Sequence, residues 1–402
     1  MTASSALWIS AAEAARLLRV SRTTLYAYVS RGYVRSQAGP RSSRERVYAR
    51  EDLERLRRRT EERRSPGVAA ARALQWGMPV LESAISLIDG RHLYYRGIDA
   101  AALAQSCSLE EVAALIWLGR LDAGWVERRG RYGVGPLPRH TSFVARAQSM
   151  LAGAAVSDPL AMDLRPAGVA AAGGRVLRLL TRAATRTDPG SANVHTALAR
   201  AWQVDRRGAD VLRAVLVLCA DHELNVSSFT ARCVASAGSH PYAVVIAALA
   251  ALEGPKHGGA GARVEAMLQA MRRTRPLSNA VESRLRRGDR IEGFGHPLYP
   301  DGDPRARLLL EWLADRYGGS AEYRFAEAFT RAATSATGQH PNLDFALAAV
   351  ARVLGLPSGA PLALFALGRS VGWLGHALEQ YATNQLIRPR ARYIGVPPPP
   401  VA

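Results

Sequence analysis

Apolar positions recur at helical spacing along almost the whole chain, and the pattern changes character once, near residue 66. From Val68 onward, Ala- and Leu-rich amphipathic segments follow one another, broken by Gly, Pro and short polar loops. Only two pieces, Ala84 to Ile88 and Arg392 to Ile394, read as strands. The pattern predicts an all-α bundle. Gly130 to Pro138 reads as a loop and Pro397-Pro398-Pro399-Pro400 as an extended tail, and no period marks a solenoid repeat.

Before residue 66 the elements are shorter. Ser10-Ala11-Ala12-Glu13 has the form of a capping box and opens a helix that turns Ala15, Leu17 and Leu18 inward. After a turn at Arg19-Val20, Ser21 caps a second helix running to Arg31, with Val20, Leu25 and Val29 as its packed stripe and Gly32 as its stop. That is helix-turn-helix spacing. Val34 to Ser36 and Arg46 to Tyr48 flank an Ala38-Gly39-Pro40 turn, predicting a small wing, and Arg50-Glu51-Asp52-Leu53 opens a charged third helix. Arg63-Arg64-Ser65-Pro66-Gly67 ends it as a linker.

The 402 residues suit two or three domains. The formal charge of +19 points to a polyanion partner, but it is unevenly spread: Met1 to Pro66 holds fifteen Arg against seven Asp plus Glu. The N-terminal segment is therefore the expected polyanion binder. Lys256 is the only lysine, so the excess is carried by Arg. Cys107, Cys219 and Cys233 lack disulfide or zinc spacing and are expected as buried small apolar residues. No apolar run reaches the roughly 18 to 20 residues that cross a bilayer, and Met1 to Ser10 lacks the layout of a signal peptide, so a cytoplasmic protein is expected.

Candidate chemistry concentrates between residues 220 and 390. His222 stands in Ala220-Asp221-His222-Glu223-Leu224-Asn225, and His257 in Gly254-Pro255-Lys256-His257-Gly258-Gly259-Ala260. His296 follows Gly293-Phe294-Gly295, and an acid appears in Pro341-Asn342-Leu343-Asp344-Phe345. Glycines beside His257 and His296 are expected to let a substrate or helix end approach the ring. His376 reads as structural packing, His92, His140, His195 and His240 as surface or loop residues, and His340 as a loop histidine.

Ordered blocks from Ser83 to Gly395 resemble the citrate synthase family, bacterial type. They are Ser83-Ala84-Ile85-Ser86-Leu87-Ile88-Asp89-Gly90 with Leu93-Tyr94-Tyr95-Arg96-Gly97; the three histidine segments, with Ser227-Ser228-Phe229-Thr230 after the first; Asp303-Pro304-Arg305-Ala306; Pro341 to Phe345; Gly372-Trp373-Leu374-Gly375-His376-Ala377-Leu378-Glu379-Gln380; and Leu386-Ile387-Arg388-Pro389-Arg390. The first sixty residues resemble excisionase-like or MerR-like winged helix-turn-helix modules. The implied fold is a citrate-synthase-like two-domain helical fold after a small winged helix-turn-helix domain. Residues 1–64 form that first domain, 65–74 the linker, 75–261 with 357–402 the large domain, and 262–356 a small domain that closes over the substrates.

The resemblance implies Asp344 as the general base on acetyl-CoA, His257 as hydrogen-bond donor to the thioester oxygen, and His296 as the proton donor to the ketone of oxaloacetate. His222 holds that ketone and its carboxylate, while Arg305, Arg369 and Arg388 bind the carboxylates. Arg388 is implied to reach in from a neighbouring subunit, so a homodimer is expected. No metal and no cofactor are implied, since acetyl-CoA enters as a substrate. In the N-terminal domain, Arg22, Thr23 and Tyr26 are implied to face a DNA major groove, and Arg41, Arg44 and Arg46 to meet phosphates.

The chain departs from the family pattern at Gly261, commonly Asn, at Pro297, commonly basic, and at Thr337-Gly338-Gln339-His340, where a basic residue that serves CoA is missing. Lys256 and Arg307 are the candidates to compensate. Three readings stay open: a citrate synthase, a 2-methylcitrate synthase using propionyl-CoA, and a DNA-binding regulator whose synthase-like body senses oxaloacetate or acyl-CoA. The first two differ by one methyl, about 1 to 3 kcal/mol of pocket contact. Retention of Asp344, His257 and His296 favours catalysis, because a sensor needs no general base.

Overall fold

Ser10 and Glu13 cap each other as their spacing predicts. The Ser10 backbone N–H and hydroxyl donate to Glu13 Oε2 at 3.0 and 2.8 Å, and the Glu13 N–H donates back to Ser10 Oγ. The computed structural model describes residues 8–18, 20–39, 46–54, 56–57, 80–122, 124, 142–274 and 276–398. It divides into two units, Met1–Glu82 and Ser83–Ala402.

In the first unit, β1 (Trp8–Ser10) leads into α1 (Ala11–Leu18) and α2 (Arg22–Ser30). Ser21 Oγ accepts from the Thr24 N–H at 3.1 Å, and Gly32, at φ +73°, closes the helix. β2 (Ser36–Ala38) and β3 (Arg46–Ala49) pair antiparallel, with β1 on the other side of β3. The core holds Ala14, Leu25, Val34, Tyr48 and Leu53, against which Ala15, Leu17, Leu18 and Val29 pack partly buried. Strand β2 starts two residues later than the pattern predicts: Val34 packs into this core, and the Arg35 N–H is taken by Asp52 Oδ2 at 2.9 Å instead of by a ladder partner. Arg35 binds Asp52 through Nε and Nη2 at 2.8 and 3.0 Å, tying the wing to the helical residues that begin at Arg50. Arg41, Arg44 and the expected linker over 65–74 lie outside the described residues.

The second unit begins with an antiparallel sheet, β4 (Ser86–Ile88), β5 (Leu93–Tyr95) and β6 (Ile98–Asp99), in that order. Helices follow: α3 (Ala100–Ser106), α4 (Leu109–Leu118), α5 (Phe143–Ser157), α6 (Pro166–Thr185), α7 (Val194–Ala201), α8 (Arg206–Leu218), α9 (Val226–Ser236) and α10 (Pro241–Glu253). Then come α11 (Gly259–Met271), α12 (Leu277–Arg286), α13 (Pro304–Tyr317), α14 (Ala321–Thr337), α15 (Leu343–Val353) and α16 (Ala360–Thr383). The expected domain boundary at 261/262 falls inside α11.

Helix α16 is the axis. It packs on α4, α6, α8, α9 and α10, and it approaches them closely because of its glycines. A Cβ at Gly368 would overlap the Leu216 carbonyl, one at Gly372 the Asp221 carboxylate, and one at Gly375 the Ile116 side chain. The spacing that brings the helix down on residues 216–221 also delivers Arg369 and His376 to that turn. A second layer, α11 to α15, shares the same continuous core. In it Phe294 stacks edge-on against Phe345 at 5.1 Å and against Phe329 at 6.0 Å, seating the loop that carries His296 on α14 and α15.

Several expectations are corrected. Arg392 to Ile394 is not a strand: no partner offers a ladder, and Tyr393 and Ile394 are 75 and 85 % exposed. Of the cysteines only Cys219 is buried; Cys107 and Cys233 are half-buried at helix surfaces, and all three are free. His195, expected at the surface or in a loop, is half-buried within α7, whereas His240 does lie in a loop, where its Nδ1 accepts from the Ala243 N–H at 3.1 Å and caps α10. His140 and the loop at Gly130 to Pro138 lie outside the described residues. Among the described residues no helix is long and apolar enough to cross a membrane.

Candidate active site

Two loops are zipped together to form the floor of the site. The Gly295 N–H donates to the His340 carbonyl and the Asn342 N–H to the Gly293 carbonyl, both at 2.8 Å, while Asn342 Nδ2 donates to the Gly295 carbonyl. Gly293 and Gly295 have φ of +81° and +77°, the left-handed region where a side chain is strained, and a Cβ at Gly293 would press on Phe345. These glycines thus serve the crossing of the two loops, which fixes His296 relative to Asp344. Beside His257 the reason differs: Gly258 is enclosed by Leu252 and Leu362.

On one side, His222, His296 and Tyr299 form one aromatic cluster. The Tyr299 hydroxyl lies 2.9 Å from His222 Nε2, and the His222 and His296 rings meet edge-on at 5.3 Å. Arg305, fully enclosed, is gripped by Asp303 through Nε and Nη2 at 2.9 and 2.8 Å, with its guanidinium 5.7 Å from the Tyr299 ring. Arg369 is also buried, donating to the Cys219 carbonyl at 2.8 Å. Burial drives His222 well below its ordinary value, and the two arginines push the same way. Burial, then Arg305, lowers His296 to about 4. A neutral ring has one N–H. Because His296 Nδ1 accepts from the Leu298 N–H, the proton sits on Nε2.

On the other side, His257 Nε2 is 2.9 Å from Ser227 Oγ, which also receives the Trp373 indole N–H at 3.1 Å and lies 2.8 Å from Asn225 Oδ1. Phe365 meets His257 edge-on at 5.9 Å and lies under the Arg369 guanidinium at 4.7 Å, so one aromatic ring spans both halves. Burial, then Arg369, lowers His257 to about 4. Asp344, in the first turn of α15, moves the opposite way: burial pushes it up to about 6, with Arg305 opposing. The Leu343 N–H donates to Asp303 Oδ2, which ties the start of the helix that carries Asp344 to the Arg305 clamp. These segments supply two imidazoles held toward the neutral form, a carboxylate raised toward neutrality and two buried guanidiniums, groups suited to proton transfer next to an anionic substrate.

The family model "Citrate synthase, C-terminal domain" matches residues 73–127 and 140–390. The chain belongs to the citrate synthase family. It is an enzyme of the citrate synthase type. A citrate synthase 2 of Bacillus subtilis is 31% identical over 360 residues, covering 82% of this chain and 96% of its own. A 2-methylcitrate synthase of Shewanella oneidensis is 31% identical over 353 residues, 80% of this chain and 94% of its own. Among solved structures, the citrate synthase of Thermoplasma acidophilum, in a ternary complex with carboxymethyl coenzyme A and oxaloacetate, superposes with a TM-score of 0.69 at 25% identity, covering 84% of this chain and 98% of that one. A model named "Helix-turn-helix domain" matches residues 8–60, so this citrate-synthase-family enzyme carries a helix-turn-helix domain at its N-terminus.

Four further residues join the site. Ser227 and Asp303 stand inside blocks that carry the resemblance but without a role assigned to them, whereas Tyr299 and Phe365 lie outside every block and carry no signal of their own. Arg388 is not brought to the cluster: it is exposed, beyond the end of α16. Lys256 and Pro297 are exposed as well, whereas Gly261 is buried in the first turn of α11. Arg307 and His340 line a cavity of about 320 Å³ whose other charged walls include Asp301, Glu311 and Glu327. Among the described residues no group of His, Cys, Asp and Glu is arranged to hold a metal ion.

In the N-terminal unit, Arg22, Thr23 and Tyr26 lie on one exposed side of α2, and Arg46 is exposed on β3, reaching Ser36 Oγ at 3.3 Å.

Proposed function

We propose that the protein condenses acetyl-CoA with oxaloacetate and hydrolyses the resulting citryl-CoA to citrate and CoA. The observation that carries this reading is His296, whose Nδ1 accepts the Leu298 N–H and so leaves Nε2 as the donor, beside the buried Arg305 and on a loop zipped to that of Asp344.

Asp344, ionised at neutral pH yet basic enough to accept a proton, takes one from the acetyl methyl. The electron pair left on carbon is delocalised onto the thioester oxygen, where a neutral His257 donates a hydrogen bond. With Nε2 turned to Ser227, Nδ1 is the nitrogen left for that oxygen. Nδ1 carries a proton when the Ser227 hydroxyl donates to Nε2, turning away from Asn225. The enol carbon then attacks the ketone, and His296 Nε2–H protonates the new alkoxide. Arg305 and Arg369 hold the carboxylates, and Arg388 completes the acceptor site of a neighbouring subunit. Helix α10 supports such a dimer, since it is apolar on nearly every side yet leaves Ile246 and Ala250 partly or fully exposed.

Asp344→Ala tests the assignment. Turnover is lost while calorimetric oxaloacetate binding stays near wild type; loss of binding would sink the role of Asp344 as base. The relative named a 2-methylcitrate synthase supports a second reading, in which propionyl-CoA is the donor. The helix-turn-helix domain supports a further activity, DNA binding through Arg22, Thr23, Tyr26 and Arg46.

A further inference from the structure

Asp221, the residue before His222, and His376 are both fully buried, with His376 Nε2 3.2 Å from Asp221 Oδ1. The other carboxylate oxygen accepts the Ser86 hydroxyl at 2.6 Å, and Ser86 Oγ in turn accepts the Glu223 N–H at 3.0 Å. One serine thus ties down the residues on either side of His222. On the far side of the ring, His376 Nδ1 is 3.9 Å from Glu379 Oε2, which Arg232 holds at 2.6 Å. Glu379 Oε1 accepts the Ala84 N–H at 2.8 Å, two residues before Ser86, so the contacts close into a ring that joins β4, the 221–223 turn, α9 and α16.

Two features mark this as more than packing. A buried carboxylate is costly unless it is paired, and apolar residues of the same volume often serve a purely structural contact at least as well. Glu223, immediately after His222, is also held at φ +53°, a conformation that strains a non-glycine residue and persists only where its surroundings hold it. The Ser86 hydroxyl, which donates to Asp221 and accepts the Glu223 N–H, is the contact that meets it there. Burial would raise Asp221, but His376, Arg369 and Ser86 together hold it below the usual carboxylate range, so it stays an anion at neutral pH.

We propose that His376 is a positioning residue for acceptor binding: through Asp221 it holds the 221–223 turn in the strained form that aims His222 at the keto acid. The proposal rests on the reading of His222 as a contact to oxaloacetate. It makes His376, two helical turns beyond Arg369 on α16, part of the same delivery of groups to the substrate.

The test compares wild type, His376→Ala, His376→Gln and Ser86→Ala by oxaloacetate binding and by KM for each substrate, well below the melting temperature of each variant. His376→Ala raises the Kd and KM for oxaloacetate about ten- to a hundredfold, with KM for the acyl-CoA changed less than about twofold. His376→Gln, which keeps a donor toward Asp221, recovers most of the loss. A lowered melting temperature with unchanged oxaloacetate KM, or equal loss for both substrates, overturns the proposal. If His376→Ala does not fold, Ser86→Ala breaks the same clamp from the opposite side, and an unchanged oxaloacetate KM there overturns it equally. Failure of the wild type itself to bind oxaloacetate sinks the functional reading instead.

Discussion

The Tyr299 hydroxyl lies 2.9 Å from Nε2 of His222, inside a cluster that excludes nearly all solvent from both. Burial pushes the phenol up to about 12, so it remains a neutral donor or acceptor throughout the working range. Tyr299→Phe leaves His222 Nε2 without this partner and costs about 1 to 3 kcal/mol of stability. The same variant raises KM for oxaloacetate more than it lowers kcat. Denaturant unfolding and steady-state kinetics check the two parts; unchanged KM argues against His222 as an acceptor contact.

Asp344 sets the acid limb of activity. At a folded pKa of about 6 it loses its role as a base below that pH, and kcat/KM falls about tenfold per pH unit further down. His257 and His296, near 4, add no limb between pH 5 and 8. The stability effect has the opposite sense. A carboxyl raised on folding contributes stability below its unfolded value near 4, and that contribution is lost as pH rises through 6. Asp344→Asn is therefore inactive yet more stable than wild type by roughly 1 to 2 kcal/mol at pH 7.5, with the gain gone at pH 4. Thermal melts at the two pH values measure it.

Two glycine replacements separate close approach from open space. Gly372→Ala forces a methyl into the Asp221 carboxylate and the Ala220 carbonyl, and costs about 1 to 3 kcal/mol or more. Gly261→Ala meets only Pro361 at 3.9 Å and stabilises α11 by about 0.5 to 1 kcal/mol. Urea titration ranks them.

Much of this was legible in local sequence. The Ser10–Glu13 cap, the Ser21 cap and the Gly32 stop depend on neighbours within a few residues, and they formed as the spacing indicated. Strand β1 was not legible, since three residues show no period and its partner β3 lies some forty positions away. The site divides the same way. His222, His257, His296 and Asp344 stand in blocks of distinctive residues, but Tyr299 reaches His222 across 77 positions and Ser227 reaches His257 across 30, distances that no local pattern encodes. His376 read as packing because its neighbours in sequence are apolar. Its partner Asp221 is supplied by another part of the chain.

The N-terminal domain predicts salt-dependent DNA binding. In full-length protein, Arg22→Ala or Arg46→Ala weakens binding to mixed duplexes and lowers the salt slope by about 1 where the arginine meets a phosphate. Tyr26→Ala alters sequence preference with the slope unchanged. Equal slopes for both arginine variants and wild type would remove those arginines from the phosphate contacts, and an unchanged sequence preference in Tyr26→Ala would remove Tyr26 from the interface.

The central claim is met most directly by the rate at which free CoA thiol appears when purified protein is mixed with oxaloacetate and either acetyl-CoA or propionyl-CoA. The expected result is steady release when an acyl-CoA and oxaloacetate are both present, faster from acetyl-CoA, and none without oxaloacetate. No release from either donor, with the protein folded and oxaloacetate in excess, would contradict it.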